Sequence, residues 1–164
     1  MKKELKLKLR KATRKDIDAL VMLQQELADY HHRIDPNYWS KANISFAKSF
    51  RNNILNKKIG KRSTHAILVE FNNEPVGFFL AFFAEASPAI IYKKVGSINN
   101  GYVREEFRHS GIGKKAIGEI MNWFKKNDVK IVELGVDIQN EIGKKAWRKM
   151  GFEEYVLKMR KIIK

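Results

Sequence analysis

The 164-residue sequence contains no cysteine, which excludes disulfide bonds, thiolate metal sites and a cysteine nucleophile. No apolar run approaches the ~20 residues that span a bilayer. The alternating leucines near the N-terminus lack the continuous apolar stretch of a secretory signal. The four histidines show no HExxH-like ligand spacing, so we expect no metal site. Together these absences predict a soluble cytoplasmic protein.

Acidic residues are also scarce, since 18 Asp and Glu stand against 33 Lys and Arg and give a net charge of +15. This surplus fits an anionic ligand, a nucleic acid or a solvated basic surface. The basic residues are dispersed over the whole chain without an aromatic-rich binding signature, so a nucleic-acid partner is not favoured. The length predicts one domain over residues 1–164.

Hydrophobic periodicity and turn signals predict a mixed sheet covered by helices. The predicted elements, in chain order, are a strand at 5–10, a helix from Thr13 to about 35, a helix capped by Asn43, a hairpin of strands 64–71 and 76–83, a strand at 95–103, a helix from Ile112, a strand at 129–136, a helix capped by Asn140, and a last strand at 152–163. Thr13 and Asp16 are spaced as a capping box, and Asp35-Pro36 ends the first helix. Glycines within the strand at 95–103 favour a bulge or a close approach.

Two glycines stand where the stretch VREEFRHSGIGKKAIGEI (103–120) begins its helical pattern. The first backbone amides of a helix have no internal acceptor and lie at the positive end of its dipole. Without side chains at Gly111 and Gly113, a phosphate can approach those amides closely. Arg108, Lys114 and Lys115 add positive charge. The pattern therefore predicts a phosphate site, although a tight turn alone would also explain two glycines.

The glycine turn matches neither the GxxxxGK[ST] loop nor the GxGxxG fingerprint. Its spacing Arg108-x-x-Gly111-x-Gly113 instead resembles the acetyl-CoA signature R/Q-x-x-G-x-G/A of the GNAT N-acetyltransferase superfamily. The stretch QNEIGKKAWRKMGFEE (139–154) resembles a second motif of that family. NNEPVGFFLAF is similar to its central hairpin, and LKLRKATRKDIDALVML to its first strand and helix. The resemblance covers nearly the whole chain in the expected order.

This resemblance implies a single α/β (α+β) domain, with a mixed sheet of about six strands flanked by helices. It also implies a splay between the strands near 95–104 and 129–136, which receives the pantetheine arm of acetyl-CoA. The implied activity is acetyl transfer to a primary amine of an unidentified acceptor by direct attack on the thioester, without a metal. The implied cofactor-binding residues are Tyr102, Val103, Arg108, His109, Ser110, Gly111, Ile112, Gly113, Lys114 and Asn140. Asn140 serves equally well as a plain helix N-cap.

The sequence departs from the family pattern where protons are handled. The position of the family's general-acid tyrosine is Trp147, whose indole does not titrate usefully, and we expect it to pack against the core or the cofactor. The strand at 95–103 offers no carboxylate, so Glu85, at the end of the preceding strand, is the first candidate base. His31 and His32 are the others, because histidine accepts protons near neutral pH.

The loop ADYHHRIDPNYW concentrates aromatic and titratable side chains. In the fold that the resemblance implies, this loop forms a wall of the acceptor site. The expected acceptor-binding residues are Tyr30, His31, Tyr38 and Trp39. The partners expected are acetyl-CoA and an amine, without a membrane, and a homodimer is compatible with the sequence. Two alternatives stay open, a catalytically weak acyl-CoA-binding domain and a basic nucleic-acid-binding protein.

Overall fold

The computed structural model describes residues 7–163, and the first two residues of the predicted strand at 5–10 lie outside them. A five-stranded sheet has the order β1-β2-β3-β4-β5. Its strands are β1 (Leu7–Lys11), β2 (Thr64–Phe71), β3 (Glu74–Glu85), β4 (Lys94–Val103) and β5 (Ile131–Glu133). Strands β1 to β4 pair antiparallel with one another, whereas β5 is parallel to β4.

The predicted hairpin is confirmed as β2 and β3. Asn72 and Asn73 connect the strands, and both have positive φ, 54° and 68°. A two-residue hairpin turn with positive φ at both positions matches the twist of its strands, and asparagine tolerates that conformation.

Helix boundaries follow the predicted capping signals. Thr13 and Asp16 form the capping box of a 3-10 turn, which continues into α1 (Ile17–Ile34). The Asn43 side chain accepts from the Phe46 amide and begins α2 (Ile44–Ser49), followed by a π-helical segment (Phe50–Leu55) and a last turn, α3 (Asn56–Lys58). The remaining helices are α4 (Ile112–Lys126) and α5 (Glu141–Lys149).

The sheet separates two hydrophobic cores. One contains α1 and the segment 50–59 against one face of β2 and β3, and the other contains the apolar stripe of α4 against the opposite face. Gly96 of β4 is required by the second core, because a Cβ there would lie 2.6 Å from Cε1 of Phe124. The glycine predicted to mark a close approach therefore accommodates a buried ring of the same chain.

Strands β4 and β5 separate, as the family resemblance implied. Only three pairs join them, and the last is Ser97 with Glu133, whereas β4 continues to Val103. In the pairing with β3, Leu80 is opposite Asn100 and Ala81 is opposite Ile98, which leaves Asn99 as a bulge. Beyond Ser97, backbone groups of β4 therefore face an open gap instead of a neighbouring strand.

The predicted last strand is wrong. Residues 152–163 form no strand, and none of the backbone hydrogen bonds described for the chain involves residues 153–163. This accounts for five strands where about six were expected. The segment is rich in apolar residues, but a strand also needs a neighbouring strand to pair with, and this segment has none within the described chain.

Candidate active site

The glycine turn lies directly before α4. Gly111 is the N-cap residue with φ of 80° and ψ of −4°, a left-handed conformation that glycine adopts without strain. A Cβ at Gly111 would meet nothing within 4 Å, and one at Gly113 would only touch Phe79 at 3.9 Å. Gly113 thus has neither a positive φ nor a clash within the described chain to explain it. The absence of its side chain keeps the surface over the first turn of α4 open.

The backbone amides of this turn are available to a ligand. No acceptor within the described residues bonds the amides from His109 to Lys114, whereas the next amide, of Lys115, donates to the Gly111 carbonyl at 3.1 Å. The amide of Arg108 also has an internal acceptor, Glu105 O. Consecutive free amides at the positive end of a 15-residue helix fit a phosphate or pyrophosphate group.

Two of the predicted cofactor residues at this turn, Arg108 and Ser110, use their side chains in contacts within the protein. Nε of Arg108 donates to the Val103 carbonyl at 2.8 Å, and its guanidinium lies 5.1 Å from the Tyr30 ring centroid. The Ser110 hydroxyl donates to the Phe107 carbonyl. Arg108 therefore positions the end of β4 against α1.

Asn140 joins both sides of the gap between β4 and β5. Its Oδ1 accepts from the Gly143 amide at 2.9 Å, as a helix N-cap does, and from the Tyr30 hydroxyl at 3.1 Å. The predicted cap is thus present. The amide nitrogen of the side chain has no acceptor among the described residues, and it is the part of Asn140 that could bind a ligand.

His31 lies in an aromatic wall at the end of α1. Its ring centroid is 5.1 Å from that of Trp39 and 6.1 Å from that of Tyr30. The Trp39 indole donates to Oδ2 of Asp137 at 3.2 Å, in the segment that connects β5 with α5. Burial lowers the pKa of His31, and the nearby Asp137 carboxylate partly offsets this effect. His31 is therefore neutral at pH 7 and can accept a proton.

The second histidine and Tyr38 have other contacts. Nδ1 of His32 lies 2.6 Å from the Trp39 carbonyl, which can only accept, so Nδ1 carries the proton and Nε2 is the basic nitrogen. Tyr38 is 62% exposed, with the Arg160 guanidinium 4.9 Å from its ring centroid. Arg160 also donates to Asp35 at 2.6 Å, so residues after α5 contact the loop that follows α1.

A polar row between α1 and β4 was not predicted from the sequence. Arg104 makes three hydrogen bonds of 2.7, 2.9 and 3.3 Å to the two carboxylate oxygens of Glu26, and the Tyr102 hydroxyl donates to the same carboxylate. Burial and the Glu26 carboxylate raise the pKa of Tyr102 to about 12. The Tyr102 side chain is thus a fixed donor at neutral pH, and only its backbone can face the gap.

Trp147 lies beside the gap. A Cβ added at Gly101 of β4 would come within 3.5 Å of its Cζ2 atom, and its ring meets that of Phe152 edge-on, 5.4 Å between centroids. The ring is half-buried against the core on the α4 side. The expected packing role agrees with this position. The other large apolar side chain near the start of α5, Ile142, is 59% exposed.

Glu85 is not brought together with the other candidates. It pairs with Lys94, at the end of β4 opposite the glycine turn, and lines a shallow cavity with Arg62, Lys94 and Asn127. Val103 lies nine positions after Lys94, about 30 Å at ~3.3 Å per residue. Glu85 is therefore remote from the glycine turn, whereas His31 lies beside Tyr30, which contacts Asn140.

Within residues 7–163 there is no group of three or more His, Asp or Glu side chains that could hold a metal ion. No helix in that range is long and apolar enough to cross a membrane.

Comparison with known proteins gives the same assignment as the glycine turn. Residues 21–152 match the model of the acetyltransferase (GNAT) family. An uncharacterized N-acetyltransferase of Methanocaldococcus jannaschii is 33% identical over 99 residues, which are 60% of this chain. The chain spans 43% of the length of that relative.

Solved structures share the fold over almost the whole chain. A predicted acetyltransferase of Clostridium acetobutylicum, crystallised with acetyl-CoA, has a TM-score of 0.75 at 23% identity and covers 94% of this chain and 96% of its own. Aminoglycoside N-acetyltransferase AAC(6′)-Iy in complex with CoA has a TM-score of 0.71 at 16% identity, with 98% of both chains covered. The residues that match the family model include those that form the glycine turn, the gap between β4 and β5 and the cap at Asn140. The chain therefore belongs to the acetyltransferase (GNAT) family.

Proposed function

We propose that this chain transfers an acetyl group from acetyl-CoA to a primary amine by direct attack of the amine on the thioester. The observation that carries the proposal is the run of free amides from His109 to Lys114 at one end of an open gap between β4 and β5. A pyrophosphate would bind the free amides, and the pantetheine arm of acetyl-CoA would lie in the gap along β4. The acetyl-CoA bound to the similar Clostridium acetobutylicum protein supports this assignment.

The residues of the site fit the group that they are proposed to hold. The backbone amides of His109, Ser110, Gly111, Ile112, Gly113 and Lys114 bind the pyrophosphate, and the Lys114 side chain adds positive charge. The backbone of β4 near Tyr102 and Val103 pairs with the amide groups of the arm, and Nδ2 of Asn140 contacts the arm from the α5 side. When bound, acetyl-CoA supplies an activated acetyl group.

The residues of this chain position the amine, polarise the thioester carbonyl and accept the amine proton. Holding the amine against the carbonyl removes much of the entropic cost of the reaction. The Asn99 bulge interrupts the pairing of β4 and leaves backbone N–H groups to polarise the carbonyl. An alkylamine with a pKa of about 10 is protonated at neutral pH, so freeing its lone pair costs about 4 kcal/mol. A thiol with a pKa of about 8.5 leaves readily as the thiolate. The reaction therefore does not require a general acid at the position that Trp147 occupies.

We assign acceptance of the amine proton to His31. Burial lowers its pKa, so the ring is neutral at pH 7, and Asp137 stabilises the imidazolium that forms on protonation. Its neighbour Tyr30 contacts Asn140 at the gap, and this contact supports a role for the aromatic wall in binding the acceptor. His32 is the second candidate through Nε2. Glu85 stays a prediction from the sequence that the proposed site does not use.

The acceptor is proposed as an amine that binds the wall formed by Tyr30, His31, Tyr38 and Trp39. The Asp137 carboxylate at this wall favours a cationic molecule, as an unreacted amine is at pH 7. The similar solved protein AAC(6′)-Iy is an aminoglycoside N-acetyltransferase, and aminoglycosides are therefore the first amines to test.

The experiment is a screen of amines with acetyl-CoA that measures thiol release. We expect turnover with at least one amine, and a 10²- to 10⁴-fold loss in His31→Ala, the usual range for removal of a general base. Glu85→Gln is the matched control and should retain the rate. Binding of acetyl-CoA without turnover of any amine would favour the acyl-CoA-binding alternative, and a loss in Glu85→Gln but not His31→Ala would return the base to Glu85.

A further inference from the structure

Tyr30 connects the two sides of the gap between β4 and β5. Its hydroxyl donates to Oδ1 of Asn140 at 3.1 Å, on the α5 side. Its ring centroid lies 5.1 Å from the guanidinium of Arg108, which donates to the Val103 carbonyl at the end of β4. A side chain of α1 therefore contacts both a residue of the glycine turn and the cap of α5, whereas the sequence predicts Tyr30 only as an acceptor-binding residue.

Two hydrogen bonds to Oδ1 fix the orientation of the Asn140 carboxamide. The Gly143 amide can only donate, so the side-chain atom 2.9 Å from it is the oxygen. The Tyr30 hydroxyl donates to the same oxygen. A 180° rotation of the carboxamide would place its NH₂ group against both donors and lose both bonds. The nitrogen Nδ2 therefore keeps the position in which it has no acceptor among the described residues.

Gly143 leaves room for this carboxamide on the first turn of α5. A Cβ at Gly143 would lie 2.6 Å from Nδ2 and 2.8 Å from Cγ of Asn140. Gly143 is a helical residue without a positive φ, and glycine lowers helix stability relative to alanine, so its backbone conformation does not account for it. The carboxamide is therefore held by contacts from two elements, with Gly143 in α5 and with Tyr30 in α1.

We propose that Tyr30 is a positioning residue for the cofactor, which acts by holding Nδ2 of Asn140 ready to donate to an amide carbonyl of the pantetheine arm. This inference rests on the proposed function, because it requires that acetyl-CoA binds along β4. A donor that is fixed before the ligand arrives loses less conformational entropy on binding than a mobile one. Tyr30 is itself restrained, since it packs against the core on the α1 side and Arg108 lies near its ring.

Two ligands that differ only in the arm separate this role from a general effect on the fold. CoA contains the pantetheine arm, and 3′-phospho-ADP is the part of CoA that lacks it. Both carry the pyrophosphate that we assign to the glycine turn. Tyr30→Phe removes the hydroxyl and keeps the ring beside Arg108. We expect this variant to raise the Kd of CoA roughly three- to tenfold, the usual effect of one lost hydrogen bond, and to leave the Kd of 3′-phospho-ADP unchanged. Isothermal titration calorimetry measures both constants without an acceptor.

A double-mutant cycle tests whether Tyr30 acts through Asn140. Asn140→Ser keeps a side chain that caps a helix well but has no amide nitrogen, so it should also weaken CoA and not 3′-phospho-ADP. In the Asn140→Ser background, Tyr30→Phe should have little further effect on the Kd of CoA, whereas independent roles would add. Tyr92→Phe is the matched control, because it removes a tyrosine hydroxyl just before β4 begins at Lys94, at the end of that strand opposite the glycine turn. It should bind both ligands like the parent.

The outcomes distinguish this inference from the proposed function. An unchanged Kd of CoA in Tyr30→Phe would overturn the positioning role and leave the proposed function intact. Equal losses for CoA and 3′-phospho-ADP, or additive losses in the double variant, would also overturn it, because Tyr30 would then stabilise the fold or the glycine turn without orienting Asn140. Failure of the unmodified chain to bind CoA would refute the proposed function together with this inference.

Discussion

Replacement of Gly113 by valine tests whether this glycine is needed for ligand binding or for folding. Gly113 and Gly118 both lie in α4 with negative φ, and a Cβ meets no close neighbour at either position. Gly118→Val is therefore a matched control on the same helix, away from the glycine turn. Gly111→Val is a poorer test, because φ of 80° at that position would strain any branched side chain regardless of a ligand.

The expected magnitudes follow from helix propensity and mass action. Glycine and valine differ by at most about 0.5 kcal/mol in a helix interior, so both variants should unfold near the parent. Acetyl-CoA at 100 times its Kd stabilises the native state by about 2.7 kcal/mol, which raises the Tm of a chain of this size by about 5–10 °C. The Gly113→Val methyl groups occupy the space over the free amides, so this rise should disappear, whereas Gly118→Val should retain it.

The assay is thermal unfolding of the three proteins with and without acetyl-CoA, with circular dichroism to confirm an intact fold. A full thermal shift in Gly113→Val would show that the pyrophosphate does not bind the first turn of α4. A shift lost in both variants would point to a general disturbance of the helix, and would equally refute the assignment of the amides.

Three further predictions concern packing and protonation. Trp147→Phe should keep turnover within a few-fold, because the ring packs and does not titrate. Denaturant unfolding should show a decrease in the free energy of unfolding that is smaller than the ~3–5 kcal/mol expected for removal of a fully buried indole. Complete inactivation of a folded variant that binds acetyl-CoA would contradict this role. Gly96→Ala should lower the free energy of unfolding by about 1–3 kcal/mol, because the new methyl group overlaps the buried Phe124 ring; a neutral effect in a urea titration would show that the ring moves aside. Burial lowers the pKa of His31 and of His65 below 6.5, so the unfolded chain binds more protons and stability should fall as the pH decreases through 6.5; His65→Gln should flatten this pH dependence, and an unchanged slope would contradict the shift.

Local sequence signals predicted most of the elements, because they act within a few residues. The capping box of Thr13 and Asp16, the cap at Asn43 and the Asn72-Asn73 turn each satisfy or shape nearby backbone, and all are present in the structure. The spacing Arg108-x-x-Gly111-x-Gly113 identified the family for the same reason. It did not predict that Arg108 bonds the Val103 carbonyl, which depends on how α1 and β4 pack.

The tertiary structure alone decided which side chains meet. His31, Trp39 and Asp137 are brought together from α1, the following loop and the segment after β5, and no local pattern records such a contact. It also placed Glu85 at the far end of β4, although a position at the end of β3 had made it a candidate. The strand predicted at residues 152–163 is absent for the same reason. A strand is stabilised by hydrogen bonds to a neighbouring strand, and the described residues provide no such neighbour there.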